Sequence, residues 1–524
     1  MKLNFGDIFT VTKLRNDISG GLAIFTFERR SYPENWEASD KISTADTTSA
    51  AGSNVTHFTL DRNHLIFSKI MSYLSVRSLK NARLVSRKWK KQVTPILRKK
   101  SALTFDDPRA PNASRKFLRY VHDIKKVTKW PHWKISFPAL PAKGNDKENW
   151  RNKYVTDLNW FLQPKRDPLI KTLSLKGAPT LSLKENIKSN HDYRLYLGTV
   201  SQLKDTLEEL CLDVSMRIWK NDGTEKKYYS TRPDLRFNKL QKFSLVLDDL
   251  CELNLDTVTA NWMETWADAI TRVISLSIVG ARFLGTRFVQ ELGTTGTARY
   301  QNLREILITC KPEDAINFLI GVNQPLTKVT LTLPLQNRHL PEFENLLKKF
   351  APSLELLDFR VATDGMEEKS RFVLHLPCFP KLKSLDFHFG TFKDTPYYTG
   401  PDCVDCRVKN VARVGLEFPP RDHVNNGIDY GRHLPEIRSI VVTPYMEDED
   451  VDGDEDDFWE TYSDLMDSLV PLEKGQCCKT LKNFDILRRN IEPETKYRQA
   501  SRLQGIFPNV RNEWMDRLRG KIDN

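Results

Sequence analysis

Ser353-Leu-Glu-Leu-Leu-Asp-Phe359 and Pro380-Lys-Leu-Lys-Ser-Leu-Asp-Phe387 carry one pattern twice, apolar-x-x-apolar-x-apolar, on Leu354/Leu357/Phe359 and Leu382/Leu385/Phe387. Toward the N-terminus the pattern recurs at Ile170/Leu173/Leu175, Leu207/Leu210/Leu212, Leu240/Phe243/Leu245, Val273/Leu276/Ile278, Leu303/Ile306/Ile308 and Leu326/Val329/Leu331. Beyond the starting pair it returns at Val411/Val414/Leu416, Ile437/Ile440/Val442 and Leu481/Phe484/Ile486. Most intervals fall between about 23 and 37 residues, within the span of repeat architectures. A short strand with this spacing buries its first, fourth and sixth residues, and an intervening helical stretch closes the unit. Neither face is covered until the next unit stacks. Stacking then pairs each strand with its neighbours and leaves open edges only at the two ends.

These units resemble a leucine-rich repeat of the irregular kind. The asparagine that regular repeats of that family carry three positions after the sixth residue is missing here. Ala178, Ser215, Asp248, Lys311, Ala362 and Gly390 stand in its place. Without that side chain to stitch adjacent turns, the resemblance implies a less regular solenoid with variable repeat length. A generic α/β domain with strands of this type is the competing reading.

Upstream, Leu60 to Lys100 reads LDRNHLIFSKIMSYLSVRSLKNARLVSRKWKKQVTPILRKK. Ile66, Ile70 and Leu74 recur every fourth residue, with Phe67 and Tyr73 beside them, so one stripe of a short helix is apolar. Val85, Trp89 and Val93 repeat the spacing. Ser86 stands where its side chain can cap the helix that follows, and Pro95 lies near that helix's end. Such a small three-helix unit buries too little surface to be very stable alone, and a partner covering its remaining apolar residues completes it. The run Lys69-Ile-Met-Ser-Tyr-Leu74, then Leu79, then Ala82-Arg-Leu-Val-Ser-Arg-Lys-Trp89 resembles an F-box. The family's usual Leu-Pro-x-x-Glu opening is absent, and Leu60-Asp-Arg-Asn-His-Leu65 occupies that stretch. For a single apolar residue of this stretch, a place in the core of a larger helical domain is the competing reading.

The sequence of 524 residues is 40% hydrophobic and 28% charged, an ordinary globular balance with room for two to four domains or one long array. No apolar run reaches the roughly 20 residues that span a bilayer, and Met1 to Arg30 lacks a secretory signal pattern. A cytoplasmic or nuclear protein is expected. Its eight cysteines are spread too thinly for a disulfide framework, so they are expected to be reduced. Cys403-Val-Asp-Cys406 and Cys477-Cys478 have thiolate pairs but no histidine at zinc-site spacing, and no metal is assigned to them. Glu447 to Asp457 is acidic at nine of eleven positions, and Asp448-x-Asp450-x-Asp452-Gly453 matches half of a calcium loop. Trp459 stands where the bidentate Glu belongs, so the run reads as a solvated insertion. No nucleotide loop, HExxH, GxSxG or kinase signature is present, His375 and His388 read as surface or packing residues, and neither catalysis nor a cofactor is expected.

The net charge of +12 is concentrated. Twelve Lys or Arg against Asp61 give +11 between Leu60 and Lys100. A basic patch of this density accelerates encounter with an acidic partner. The F-box resemblance implies an acidic Skp-type adaptor and, through it, a cullin. Nuclear import and nonspecific nucleic-acid binding through Arg87-Lys88 and Lys90-Lys91 are the competing uses, and nothing in the sequence supplies base readout.

The expected architecture is therefore α/β, a small three-helix F-box followed by an irregular leucine-rich-repeat solenoid. Its segments are an N-terminal tail and flexible linker at 1–56, the F-box at 57–105 and a connecting or capping segment at 106–165. The solenoid follows at 166–490 with the acidic insertion 447–457, and a helical cap or tail at 491–524. The expected role is a non-catalytic substrate-recognition subunit of a Skp/cullin/F-box ubiquitin ligase, with a cullin-independent F-box scaffold as the alternative. Ile66, Ile70, Leu74, Leu79, Leu84, Val85 and Trp89 are the expected adaptor contacts. On a stacked array the residues between the buried ones share one face, so Glu209, Asp213, Glu305, Asp358, Arg360, Asp386 and His388 are expected to line a substrate surface.

Overall fold

The computed structural model describes residues 64–105, 131–136, 170–178, 200–215, 235–248, 257–280, 282–294, 299–362, 371–390, 413–419, 428–445 and 478–486. It also describes strands at 3–5, 9–16 and 23–29 and positions 296, 465, 468–471, 507, 509 and 510. The 40–56 linker, the acidic run 447–457, Cys403, Cys406 and Cys477, the side chain of Ile66 and most of 106–165 and 491–524 lie outside the described residues. The chain divides into two compact units, one of 1–103 with 129–132 and one of 104–128 with 133–524.

In the first unit, β1 (Leu3–Phe5), β2 (Phe9–Asn16) and β3 (Ala23–Arg29) form an antiparallel three-stranded sheet, so the N-terminal tail contains regular structure. Three helices follow: α1 (His64–Tyr73), α2 (Val76–Ala82) and α3 (Arg87–Lys100). Ser75 caps α2 by accepting the Ser78 N–H, and Ser86 caps α3 by accepting the Trp89 N–H, each at 3.1 Å. The helices close on Phe67, Met71, Leu79, Ala82, Trp89, Val93 and Leu97, with the Phe67 and Trp89 rings edge to face at 5.0 Å. The buried stripe of α1 is thus Phe67 and Met71, one position on from the expected Ile66/Ile70/Leu74 stripe. Ile70 and Leu74 pack only at its border. α3 continues past Pro95 to Lys100, because Leu97, one turn on, is needed in the core. Lys100 Nζ donates to Leu74 O at 3.0 Å, placing a cation at the C-terminal end of α1.

The second unit is mixed α/β with one long sheet. From one edge its strands run β4 (Leu103–Phe105), β5 (His132–Ser136), β6 (Thr172–Ala178), β7 (Glu209–Ser215), β8 (Lys242–Asp248) and β9 (Ser275–Gly280). They continue through β10 (Glu305–Ile308), β11 (Lys328–Leu335) and β12 (Leu356–Ala362) to β14 (Ser384–Gly390), β16 (Ser439–Tyr445) and β17 (Asn483–Ile486). Every pairing with a defined register from β6 to β17 is parallel. Ten of the eleven apolar units supply these strands, and their first residues, from Ile170 to Leu481, are all buried.

The unit at Val411/Val414/Leu416 departs from this. Its strand β15 (Arg413–Glu417) pairs with β13 (Arg371–His375) in a separate two-stranded sheet. The ladders β12–β14 and β14–β16 are each continuous, so β15 has no place between β14 and β16.

Four helices alternate with the middle strands: α4 (Thr257–Ala269), α5 (Arg282–Thr294), α6 (Pro312–Gly321) and α7 (Leu340–Phe350). Their apolar stripes cover one face of the sheet. Trp266 of α4 stacks on Phe243 at 5.6 Å, and Phe343 of α7 lies 5.4 Å from Phe359. Phe507, fully buried, stacks on Phe484 of the last strand at 5.7 Å, so residues from the C-terminal segment cover that edge of the core.

Backbone groups connect successive strand units at the turns ahead of the strands. Ahead of each strand one carbonyl accepts two N–H groups of the following repeat. Lys171 O accepts from Glu208 and Glu209 at 2.7 and 2.9 Å, and the motif repeats at Glu208, Gln241, Ile274, Arg304, Thr327, Glu355, Lys383 and Arg438. Gly280 ends β9 with φ +111°, and a Cβ there would sit 1.9 Å from Leu247 O on the neighbouring strand. Only glycine fits so close an approach.

Candidate docking surfaces

Leu84 is the most exposed large apolar side chain of the helical module. It sits in the turn between α2 and α3, 84% exposed, while its N–H is fixed to Asn81 O at 2.9 Å. Tyr73 is 73% exposed at the end of α1, with the Lys69 ammonium 5.5 Å over its ring. Ile70, Leu74 and Val85 are half-buried and pack against the border of the core. Two expected contacts are elsewhere: Leu79 and Trp89 are buried in the module's own core. Their apolar character serves the fold, since a unit this small needs them inside. Tyr73, which the sequence places beside the helix stripe, is an exposed residue absent from the expected contacts. Its position one residue before Leu74, off the Phe67/Met71 line, is the signal that it faces out. The cations Lys69, Arg77, Lys80, Arg87, Lys88, Lys90 and Lys91 are all exposed.

On the sheet, alternation puts all seven expected substrate residues on the face away from α4–α7. It does not bring them together. Glu209 and Asp213 lie on β7 and Glu305 on β10. Five strand steps separate β7 from β12, about 24 Å at the usual spacing. Glu209 pairs with Lys242 at 3.1 Å and Glu305 with Lys328 at 2.6 Å, so both carboxylates already have counter-ions on the next strand.

The remaining four form one cluster on adjacent strands. Asp358 is in register with Asp386, and Arg360 with His388. His388 Nε2 stands 3.3 Å from Asp358 Oδ1, each side chain 25% exposed, and the Ser384 hydroxyl is 3.2 Å from Asp386 Oδ1. Burial pushes the Asp386 carboxyl above its ordinary value, and the Asp358 charge beside it adds to the shift. Two carboxylates in register, only partly hydrated, attract a cationic group. His375 does not belong to this cluster. It bridges Glu344 and Glu417 at 2.8 and 3.3 Å as a surface latch on β13.

Among the described residues, no set of His, Cys, Asp and Glu is arranged to hold a metal ion, and no helix is long and apolar enough to cross a membrane. Cys478 is buried with its thiol 3.1 Å from the Thr480 hydroxyl. No protein-family model and no curated protein matches the sequence.

Proposed function

We propose that this chain is a substrate-recognition subunit of a Skp/cullin/F-box ubiquitin ligase, with α1–α3 as an F-box and the parallel sheet with its helices as an irregular leucine-rich-repeat solenoid. The single observation that carries the reading is the three-helix module. It is a capped, closed core that still leaves Leu84 and Tyr73 in water, within a segment that holds nearly all the protein's net positive charge. An acidic adaptor covers that apolar surface and is steered to it by the cations. The chain makes and breaks no bonds. It raises the effective concentration of a target lysine beside the activated ubiquitin carrier by holding adaptor and target on one polypeptide.

Support for the array as the target-binding part comes from its open face, where Asp358, Arg360, Asp386 and His388 converge. The test is co-purification of the full chain from cells of its source with a Skp-type adaptor and a cullin. Recovery of both is expected. Adaptor without cullin would support the scaffold alternative, and absence of both would refute the F-box assignment.

A further inference from the structure

A groove of about 1400 Å³ opens at the turns leading into β8, β9 and β10 and along the last turns of α4. It lies within the second unit and away from the Asp358 cluster. Its floor is Leu235 and Leu240, both buried, and Ile274 stands exposed at the wall. Four cations reach it, Arg236, Lys239, Arg272 and Arg299, against two carboxylates, Glu208 and Asp268. Both carboxylates are engaged: Lys171 reaches Glu208 at 2.6 Å, and Arg299 reaches Asp268 at 3.0 Å. The lining therefore has an excess of positive charge, and the amide side chains of Gln241 and Asn302 add further donors.

We infer that this groove is a docking site for an extended acidic peptide segment, one rich in Asp and Glu with an apolar residue to cover Ile274. Size argues for a polymer, since sites for small ligands run at about 300–1,000 Å³. Guanidinium and ammonium groups spread along a groove match carboxylates spaced along an extended chain. Single-stranded nucleic acid shares the negative charge, yet it is held on aromatic stacking platforms, and among the described residues the lining contains no aromatic side chain. The inference does not depend on the ligase reading, because the groove and the helical module belong to different units.

The test is fluorescence anisotropy on the full chain with a labelled peptide of alternating Glu and Leu, against a Lys–Leu peptide and oligodeoxythymidylate. Binding of the acidic peptide alone is expected, weakening as salt rises. Lys239→Glu combined with Arg272→Glu should reduce affinity by about tenfold or more, as expected for reversing two exposed charges at a binding rim. Lys239→Gln with Arg272→Gln should give a smaller loss in the same direction, and it decides the question should the reversal variant melt early. No binding by the wild type, unchanged affinity in a folded variant, or oligodeoxythymidylate binding with the same dependence on these residues would overturn the proposal.

Discussion

Leu84→Ala and Trp89→Ala separate docking from folding. Leu84 is 84% exposed in the free module, so truncation removes little from its stability, within about 0.5 kcal/mol for a surface site. Covering a leucine by a partner is worth about 1.5–3 kcal/mol, of which alanine keeps a minor part. A loss of about 2 kcal/mol corresponds to roughly 30-fold in Kd. Trp89 is 5% exposed and packed against Phe67, and its truncation opens a core cavity costing about 3–5 kcal/mol, enough to unfold three short helices. Calorimetric titration of the full chain with a Skp-type adaptor, together with thermal melting followed by circular dichroism, reads both quantities. Leu84→Ala should bind about 30-fold more weakly and melt as the wild type does. Trp89→Ala should lose binding and helicity together. Adaptor affinity unchanged in Leu84→Ala, or a module that stays folded and binding-competent without Trp89, would refute the division of roles drawn here.

Reversing Arg87, Lys88, Lys90 and Lys91 to Glu should slow association with an acidic adaptor and remove its salt sensitivity, with a smaller effect on dissociation, in stopped-flow measurements at low and high salt. Gly280→Ala should destabilise the second unit by roughly 3 kcal/mol in denaturant unfolding, because the new Cβ meets Leu247 O at 1.9 Å with φ at +111°. His433, buried and stacked on Phe418, accepts the Asp429 N–H at Nδ1 and is 3.0 Å from Pro419 O through Nε2. Burial holds it below its ordinary value of 6.5, so the unfolded chain takes up a proton on acidification that the folded chain refuses. Its stabilising effect should be full above pH 6.5 and lost as pH falls toward the folded value, and His433→Gln should flatten the melting temperature across that window. Charge reversal at Asp358, Arg360 and Asp386 should release a target while adaptor binding persists, as scored by parallel pull-downs of the two partners.

The parallel sheet was legible because its spacing rule is local. Each strand must bury its fourth and sixth residues whatever its neighbours are, and in the ten units that join the sheet every such residue with a described side chain is buried. The strand of the Val411/Val414/Leu416 unit buries Leu416 and still pairs elsewhere, with β13. The candidate docking residues are legible only as a set. Spacing marked Ile70, Leu74, Leu79 and Trp89 as apolar but could not tell which side of a three-helix core each would face. Rotation of α1 by one position, set by the Phe67–Trp89 contact, moved Tyr73 out and Met71 in. On the sheet, alternation puts the seven expected substrate residues on the side opposite the buried ones. Proximity along the array depends on strand number, and it separates Glu209 from Asp386 by six strand steps.

Charge can accumulate at the turns ahead of the strands because main-chain groups carry the links between units there. In this chain the stitching between repeats is carried by carbonyls that each take two N–H groups, from Lys171 through Arg438, and a backbone ladder places no demand on the side chain at those positions. Lys171, Glu208, Gln241, Ile274, Arg304, Thr327, Glu355, Lys383, Arg438 and Lys482 occupy equivalent places with no common chemistry. Some are used for ion pairs between repeats, as in Lys171–Glu208 at 2.6 Å and Lys383–Glu355 at 2.7 Å. Such exposed pairs contribute little to stability, about 0–1 kcal/mol each. What they do is set the local sign of the field along the turns. Between β8 and β10 the acids are already engaged while Lys239 and Arg272 project beside them, so that stretch of the edge is left positive. A repeat that closes through its main chain is thereby free to vary its turn residues for recognition without loosening the array.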